Sequence, residues 1–340
     1  SLKDADDIIA DGKADLVVVA REFIADPNWI KKGLAGCQDD VVPCVKCMRC
    51  HDSDNYAQHM QCTVNPHVGM EEAIARMPES EGGKKVAVIG GGPAGMMAAL
   101  TAADRGHMVT LFEKTGALGG ALKFAAYVSF KWPLREYKDY LIAQIAKSAV
   151  DVRLNTEAAP ADMDGYDVVI AAVGADPVVP SIPGVEHAIP ACDSYGREDT
   201  LGNEVVVIGG GQVGCETALH LAKLGKKVTI IEMQSALAPD ASKTHRDEML
   251  VEFEKELNFI PVLNAKVCSV GEKAVTYEQD GRTVTVPCDS VVLAAGMRAK
   301  IALADSFMGL TPEFDEIGDC VRARTVEWAT KEGFYAAMRI

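Results

Sequence analysis

The chain is poor in positive charge and has no long apolar run. Its 340 residues carry 34 Lys and Arg against 49 Asp and Glu, a formal net charge of −15. That deficit argues against nucleic acid and anionic membranes as partners. Nothing approaches the roughly 18 uninterrupted apolar residues that a membrane span needs. The opening stretch SLKDADDIIADGKAD is polar and acidic, unlike a secretory leader. Cysteine is missing from one long interval, with none between Cys62 and Cys192. Cys215 stands without a neighbouring thiol in sequence. Both gaps argue against dithiol–disulfide exchange and single-thiol peroxidase chemistry.

What is present is a sentence written twice. Residues 86–113 read VAVIGGGPAGMMAALTAADRGHMVTLFE, and residues 205–232 read VVVIGGGQVGCETALHLAKLGKKVTIIE. At a constant offset of 119, 14 of 28 positions are identical. Val86–Ile89 and Val205–Ile208 are short apolar runs of the kind that form buried parallel strands. Gly90 and Gly209 allow the tight turn out of the strand. Gly92 and Gly211 let the backbone approach a pyrophosphate, and Gly95 and Gly214 let the following helix sit close to the sheet. The pyrophosphate then lies against the helix N-terminus. Glu113 and Glu232 each fall 18 residues after the third glycine, where a carboxylate takes the hydroxyls of an adenosine ribose. Two copies imply two dinucleotides, and a protein holding two usually passes electrons between them.

The 10 cysteines are unevenly spread. Cys37, Cys192, Cys215, Cys268, Cys288 and Cys320 are scattered singly, which suits a reducing, cytoplasmic setting. Cys44, Cys47, Cys50 and Cys62 form C-x2-C-x2-C-x11-C. Three closely spaced thiolates with a fourth returning across a loop fit a 4Fe-4S cluster. A structural zinc site is the main rival, because four cysteines also satisfy that ion. Cys47-Met48-Arg49-Cys50-His51 matches a c-type haem attachment pattern, but haem would leave Cys44 and Cys62 unexplained. His51 reads as supporting or solvent-facing rather than as a ligand.

Elsewhere, Ala14–Ala20 (ADLVVVA) has the composition of a buried strand, followed by Arg21 and a helix from about Pro27 to Leu34. One strand and one helix are not a domain, so residues 1–36 read as the tail of a larger upstream one. Residues 71–83 read as a linker, and Lys138–Val150 as a helix. Asp167–Val173 and Ser290–Ala295 are strands ending at a glycine, the crossings between nested domains. Strand Glu316–Ile317 leads into Gly318-Asp319 and a helix over Thr325–Met338. Asp319 can reach a ribityl hydroxyl of a flavin there, or serve as an ordinary acid at a helix start.

GGGPAG…FEK…LGG, VVIGGGQVGCE…IIE, AAG and IGDC, preceded by ADLVVVAREFIADPNW and a cysteine segment ending CTVNP, resemble the NADH:flavin oxidoreductase / 2,4-dienoyl-CoA reductase group of iron–sulfur flavoenzymes. That group includes enoate reductases, bile-acid-inducible steroid reductases and trimethylamine dehydrogenase. The resemblance covers nearly the whole chain but only the C-terminal half of the family architecture, which begins with an FMN-binding (β/α)8 barrel. Residues 1–36 would be the last barrel strand and helix, with Ala20-Arg21 where the family has Gly-Arg and with Arg21 on the FMN phosphate. The two-residue gap between Cys47 and Cys50 matches the amine dehydrogenase branch, whereas the reductases commonly have three.

The implied fold is α/β, with two nested Rossmann-like domains preceded by the iron–sulfur segment and the last βα unit of the barrel. The domains would be 1–36 (barrel end), 37–82 (cluster and linker), 83–177 with 298–340 (FAD), and 178–297 (NAD(H)). Hydride would pass from NADH at Gly209–Gly214 to FAD at Gly90–Gly95, Glu113 and Asp319. Electrons would continue through the cluster to FMN, to reduce an activated C=C bond of a small-molecule enoate, dienoyl-CoA or steroid enone. The alternatives are an amine dehydrogenase passing electrons to an external flavoprotein, an electron-input module like the glutamate synthase small subunit, and a non-catalytic nucleotide-binding relic. The acid and base for the alkene step would sit in the missing N-terminal FMN barrel. Substrate identity and assembly into a homo-oligomer are left open.

Overall fold

The computed structural model of the chain describes residues 2–55 and 59–340. It divides into two compact units. The first takes the chain up to Ala126, then Trp132–Gly174 and Lys300–Ile340; the second takes Tyr127–Lys131 and Ala175–Ala299. The second unit is therefore inserted into the first along the chain. Where the chain leaves and re-enters the first unit, Lys300 N–H donates to the Gly174 carbonyl at 3.2 Å.

The first unit is built on a five-stranded parallel sheet in the order Glu313–Glu316, Val168–Ala171, Lys85–Ile89, Met108–Phe112, Asp151–Arg153. Lys85–Ile89 is central and covered on both faces, which is why Val86–Ile89 is an unbroken apolar run. The helix Pro93–Asp104 follows it. Ala94, Gly95, Ala98, Ala99 and Ala102 are all buried there, because small residues let the helix pack on more than one side. One of those neighbours is the C-terminal helix Val326–Met338. A Cβ on its Gly333 would lie 2.4 Å from the Ala94 carbonyl oxygen, so the two helices touch backbone to backbone.

The second unit repeats the plan. Its five-stranded parallel sheet runs Ala188–Pro190, Ser290–Leu293, Glu204–Ile208, Lys227–Ile231, Phe259–Val262. An antiparallel three-stranded sheet, Ala265–Val270, Ala274–Gln279 and Arg282–Pro287, is added between the fifth and second of these. The duplicated sentence thus extends to sheet topology, and only the edge strand is recruited from a different place in the chain.

The N-terminal segment departs from the sequence expectation. Ala14–Ala20 forms no strand, and its Leu16 and Val18 are 68% and 85% exposed. A parallel strand is stable only with neighbours on its hydrogen-bonding edges, and among the described residues no strand precedes Lys85. Short helices Leu2–Ala10, Arg21–Ala25 and Trp29–Leu34 make up most of the rest of this segment. Boundaries also move: the strand expected at Glu316–Ile317 spans Glu313–Glu316. Glu71–Ala75 is helical within the expected linker, and the helix expected at Lys138–Val150 spans Trp132–Lys147, with Pro133 in its first turn, where a missing N–H costs nothing.

A Gly→Ala change inside a helix ordinarily stabilises by roughly 0.5–1 kcal/mol. Gly333→Ala should reverse that sign and destabilise by about 1–3 kcal/mol, because the methyl would press on the Ala94 carbonyl oxygen, backbone that cannot swing aside. Denaturant unfolding of the variant against wild type checks it.

Candidate functional site

The first glycine motif closes around backbone. Gly90 leaves the strand at φ 109°, and a Cβ there would stand 2.3 Å from the Ala172 carbonyl oxygen. A Cβ on Gly95 would stand 1.9 Å from the Gly90 carbonyl oxygen. Gly92, at the N-cap of the helix, is different: the nearest atom to its Cβ position is the Gly120 Cα at 3.8 Å. That open side is the one a pyrophosphate needs. Glu113 is buried at the end of the next strand. Its Oε2 accepts the Gly91 N–H at 2.9 Å, and its Oε1 accepts the Thr115 N–H at 2.8 Å and hydroxyl at 2.6 Å. Burial pushes the Glu113 carboxyl up, but the Thr115 and Gly91 bonds and the Lys123 charge outweigh it and hold the group below its usual range. Asp319 is brought to the same turn through its neighbour: a Cβ on Gly318 (φ 72°) would lie 3.0 Å from the Ala94 Cβ. The Asp319 Oδ1 accepts the Arg324 N–H at 3.1 Å, and burial raises its pKa.

The second motif reproduces these contacts. Gly209 has φ 104°, with its Cβ position 2.4 Å from the Ala294 carbonyl oxygen, and that of Gly214 is 2.0 Å from the Gly209 carbonyl oxygen. Glu232 is buried, accepting the Gly210 N–H at 2.5 Å and the Gln234 N–H at 2.8 Å. Two acids distinguish this copy. Asp240 accepts the Gln212 N–H at 2.8 Å, so that its carboxylate lies beside Gly211. Glu216, in the first turns of helix Gln212–Lys223, is buried in an ion pair with Lys131, with His245 Nε2 at 3.0 Å and Gln212 Nε2 at 2.9 Å. Burial pushes the Glu216 carboxyl up, and Lys131, His245 and Gln212 more than offset it, so the group titrates below its ordinary range. Sequence reasoning missed this cluster. Its signal was available: at the offset of 119, Glu216 replaces Met97, an acid in an otherwise apolar stretch.

The four clustered cysteines share one neighbourhood in the first unit. Cys62 is buried, Cys44 and Cys50 are half-buried, and Cys47 is exposed. Lys46 and Met48, between the first three, take left-handed backbone at φ 55° and 60°. Burial raises the thiol pKa of Cys44 and Cys50, and that of Cys62 to about 11. Backbone N–H groups of Lys46, His51, Val64 and Asn65 pull the other way, and Cys47 lies close enough to bear on all three. Among the described residues, no three His, Cys, Asp or Glu side chains are already drawn together around a single-ion position. His51 is exposed. Arg21 donates to the Met48 Sδ at 3.0 Å, within the cysteine loop. The segment is tied to the C-terminal helix by charge. Arg49 and Gln61, each next to a cysteine, meet at 2.6 Å; Arg49 Nε binds buried Glu327 at 2.7 Å, and Lys331 reaches both Glu327 and Gln61.

Residues 84–321 match the family model "Pyridine nucleotide-disulphide oxidoreductase". The chain belongs to that family. It is 36% identical to NADH oxidase of Thermoanaerobacter brockii over 99% of the chain and 53% of the relative. It is 36% identical to bilirubin reductase of Mediterraneibacter gnavus over 98% of the chain and 53% of the relative. A solved 2-naphthoyl-CoA reductase, in complex with 2-naphthoyl-CoA, superposes with a TM-score of 0.93 at 32% identity, covering 99% of this chain and 52% of that one. These relatives set the chain among the 2,4-dienoyl-CoA reductase-like flavoenzymes, as the motifs implied, and it spans about half the length of each. The family's paired Rossmann-like units are the two observed here. No cysteine lies between Cys62 and Cys192, the interval that follows the first glycine motif.

Glu216→Ala leaves the Lys131 charge buried and unpaired, and should cost about 3 kcal/mol in denaturant unfolding, more than the double change Lys131→Met/Glu216→Leu, which removes both charges. The Glu216 contribution should be full above its ordinary pKa of 4.5 and disappear as pH falls through the lower folded value.

Proposed function

We propose that the chain is the electron-input half of an NADH-dependent iron–sulfur flavoenzyme that reduces an activated C=C bond, with FAD held by Gly90, Gly92, Gly95, Glu113 and Asp319. NADH would be held by Gly209, Gly211, Gly214 and Glu232. The observation that carries this reading is the duplicated turn: in each copy the first and third glycines are closed off by backbone, the second stands at the helix N-cap, and a buried acid sits at the strand end. When bound, these groups would supply hydride transfer between the nucleotides and a conversion to single-electron traffic at the cluster. The residues' own task is to present N–H groups to the pyrophosphates and carboxylates to the riboses.

Cys44, Cys47, Cys50 and Cys62 fit a 4Fe-4S cluster as a donor set, with backbone N–H groups turned toward the sulfurs to stabilise thiolate charge. The exposed Leu16 and Val18 suit an inner barrel strand whose neighbours lie outside this chain, with Arg21 then available to an FMN phosphate. The acid and base that act on the alkene belong to that barrel.

Glu232 favours NADH over NADPH by repelling a 2′-phosphate. The nearby cations are engaged elsewhere. Lys226 binds the Leu201 and Gly202 carbonyls at 2.9 and 3.1 Å, Lys227 binds Glu204 at 2.9 Å, and Arg246 binds the Leu237 carbonyl at 2.7 Å. Steady-state kinetics with an artificial dye should give NADH the higher kcat/KM; a preference for NADPH would overturn the Glu232 assignment.

Anaerobically prepared protein should release FAD on denaturation and contain about four irons per chain; stoichiometric zinc without iron would make the cysteine site structural. The same preparation should reduce the dye with NADH yet leave cinnamate- or enoyl-CoA-type substrates untouched, because the pocket that would hold them is assigned to the FMN barrel and not to these two units. Alkene turnover would place the chemistry in the wrong domain.

A further inference from the structure

The two nucleotide turns differ at one place that bears on binding. In the first copy, the space in front of Gly92 is open, with the Gly120 Cα at 3.8 Å as its nearest boundary. In the second, the Asp240 Oδ2 and Oδ1 stand 3.5 and 3.6 Å from the corresponding Cβ position of Gly211. Oδ1 also accepts the N–H of Gln212, the first residue of the 12-residue helix that follows. At the offset of 119 the residue matching Asp240 is Ala121, which carries no charge. In the second copy a carboxylate already occupies the first helix N–H and the positive end of the helix dipole that a pyrophosphate would use; in the first, Pro93 stands at that position and has no N–H to offer, and Ala121 supplies no charge.

We propose that Asp240 is a built-in competitor for the nicotinamide nucleotide's pyrophosphate, one that weakens and speeds exchange at this site while the flavin site is left free to retain its ligand. The inference rests on the assignment of the second turn to NAD(H). The chemistry is suited to the two roles: a nucleotide that is consumed must leave each turnover, and a prosthetic flavin must not. For the nucleotide to bind, the Asp240 carboxylate has to leave the Gln212 N–H. It is exposed, so it can swing into water.

The test uses the FAD- and cluster-loaded oxidised protein titrated calorimetrically with NAD⁺, which binds without reducing it. Asp240→Asn keeps an oxygen acceptor for Gln212 but removes the charge, and Asp240→Ala removes both. Each should lower Kd about three- to tenfold, the effect of one charge at a helix terminus, and the gain should shrink as salt rises. FAD content should not change. Asp280→Asn, on the exposed turn between Gln279 and Arg282, makes the same change in net charge and should leave Kd alone. If wild type binds NAD⁺ and Asp240→Asn binds it no tighter, or more weakly, Asp240 is not a competitor. If neither wild type nor variants bind NAD⁺, the assignment of the site itself falls and this inference with it.

Discussion

The constraint on which the rest depends is the contact between the third glycine of each motif and the carbonyl of the first. A side chain at Gly95 or Gly214 would stand 1.9 or 2.0 Å from that oxygen. With hydrogen there instead, the helix can start directly over the strand end. Its first N–H groups then face the space beyond the turn, and the middle glycines can be approached by a ligand. The acids complete the arrangement from the neighbouring strand. Glu113 and Glu232 each accept the N–H of the residue between the first two motif glycines, which holds the turn in place. Five parallel strands, a small-residue helix and a buried carboxylate therefore belong to one packing solution used twice.

Most of that solution was legible in the sequence because it is local. Strand, glycine spacing, helix and acid all fall within 28 residues, and each rule applies to neighbours along the chain. The failures were non-local. Ala14–Ala20 has the composition of a buried strand, yet a strand's hydrogen bonds are made to other strands, and among the described residues none pairs with it. The Glu216 cluster was missed because Lys131, Gln212 and His245 come from separate segments that only folding collects. Asp240 was missed for a related reason: it lies eight residues beyond Glu232, outside the repeated stretch, and only folding turns it back toward Gly211.

The cysteine segment shows a second kind of non-local order. Its spacing suggests what it binds, but not what holds it. Arg49 and Gln61 flank two of the cysteines and converge with Lys331 on Glu327, a buried acid on the helix whose Gly333 packs against Ala94. That helix begins shortly after Asp319. One element therefore carries the contacts of the cysteine loop, the approach to the first nucleotide turn and the connection to Asp319. Charged groups so placed are costly to bury alone, and are kept here by pairing with one another.

The two copies diverge where their tasks would. Their glycines and strand-end acids are the same, as the proposed binding of a pyrophosphate by each turn would require. Two of the positions that differ lie near the helix start: Glu216 stands where the first copy has Met97, and Asp240 where it has Ala121. At the first of these the second copy has a buried ion pair, and at the second a carboxylate on the first helix N–H, a donor that Pro93 does not provide in the other copy. Neither alters the sheet or the turn. Duplication fixed a geometry that tolerates almost no substitution in its glycines, and left the specialisation of each copy to side chains around the rim of that geometry, where a charge can be added without moving the backbone.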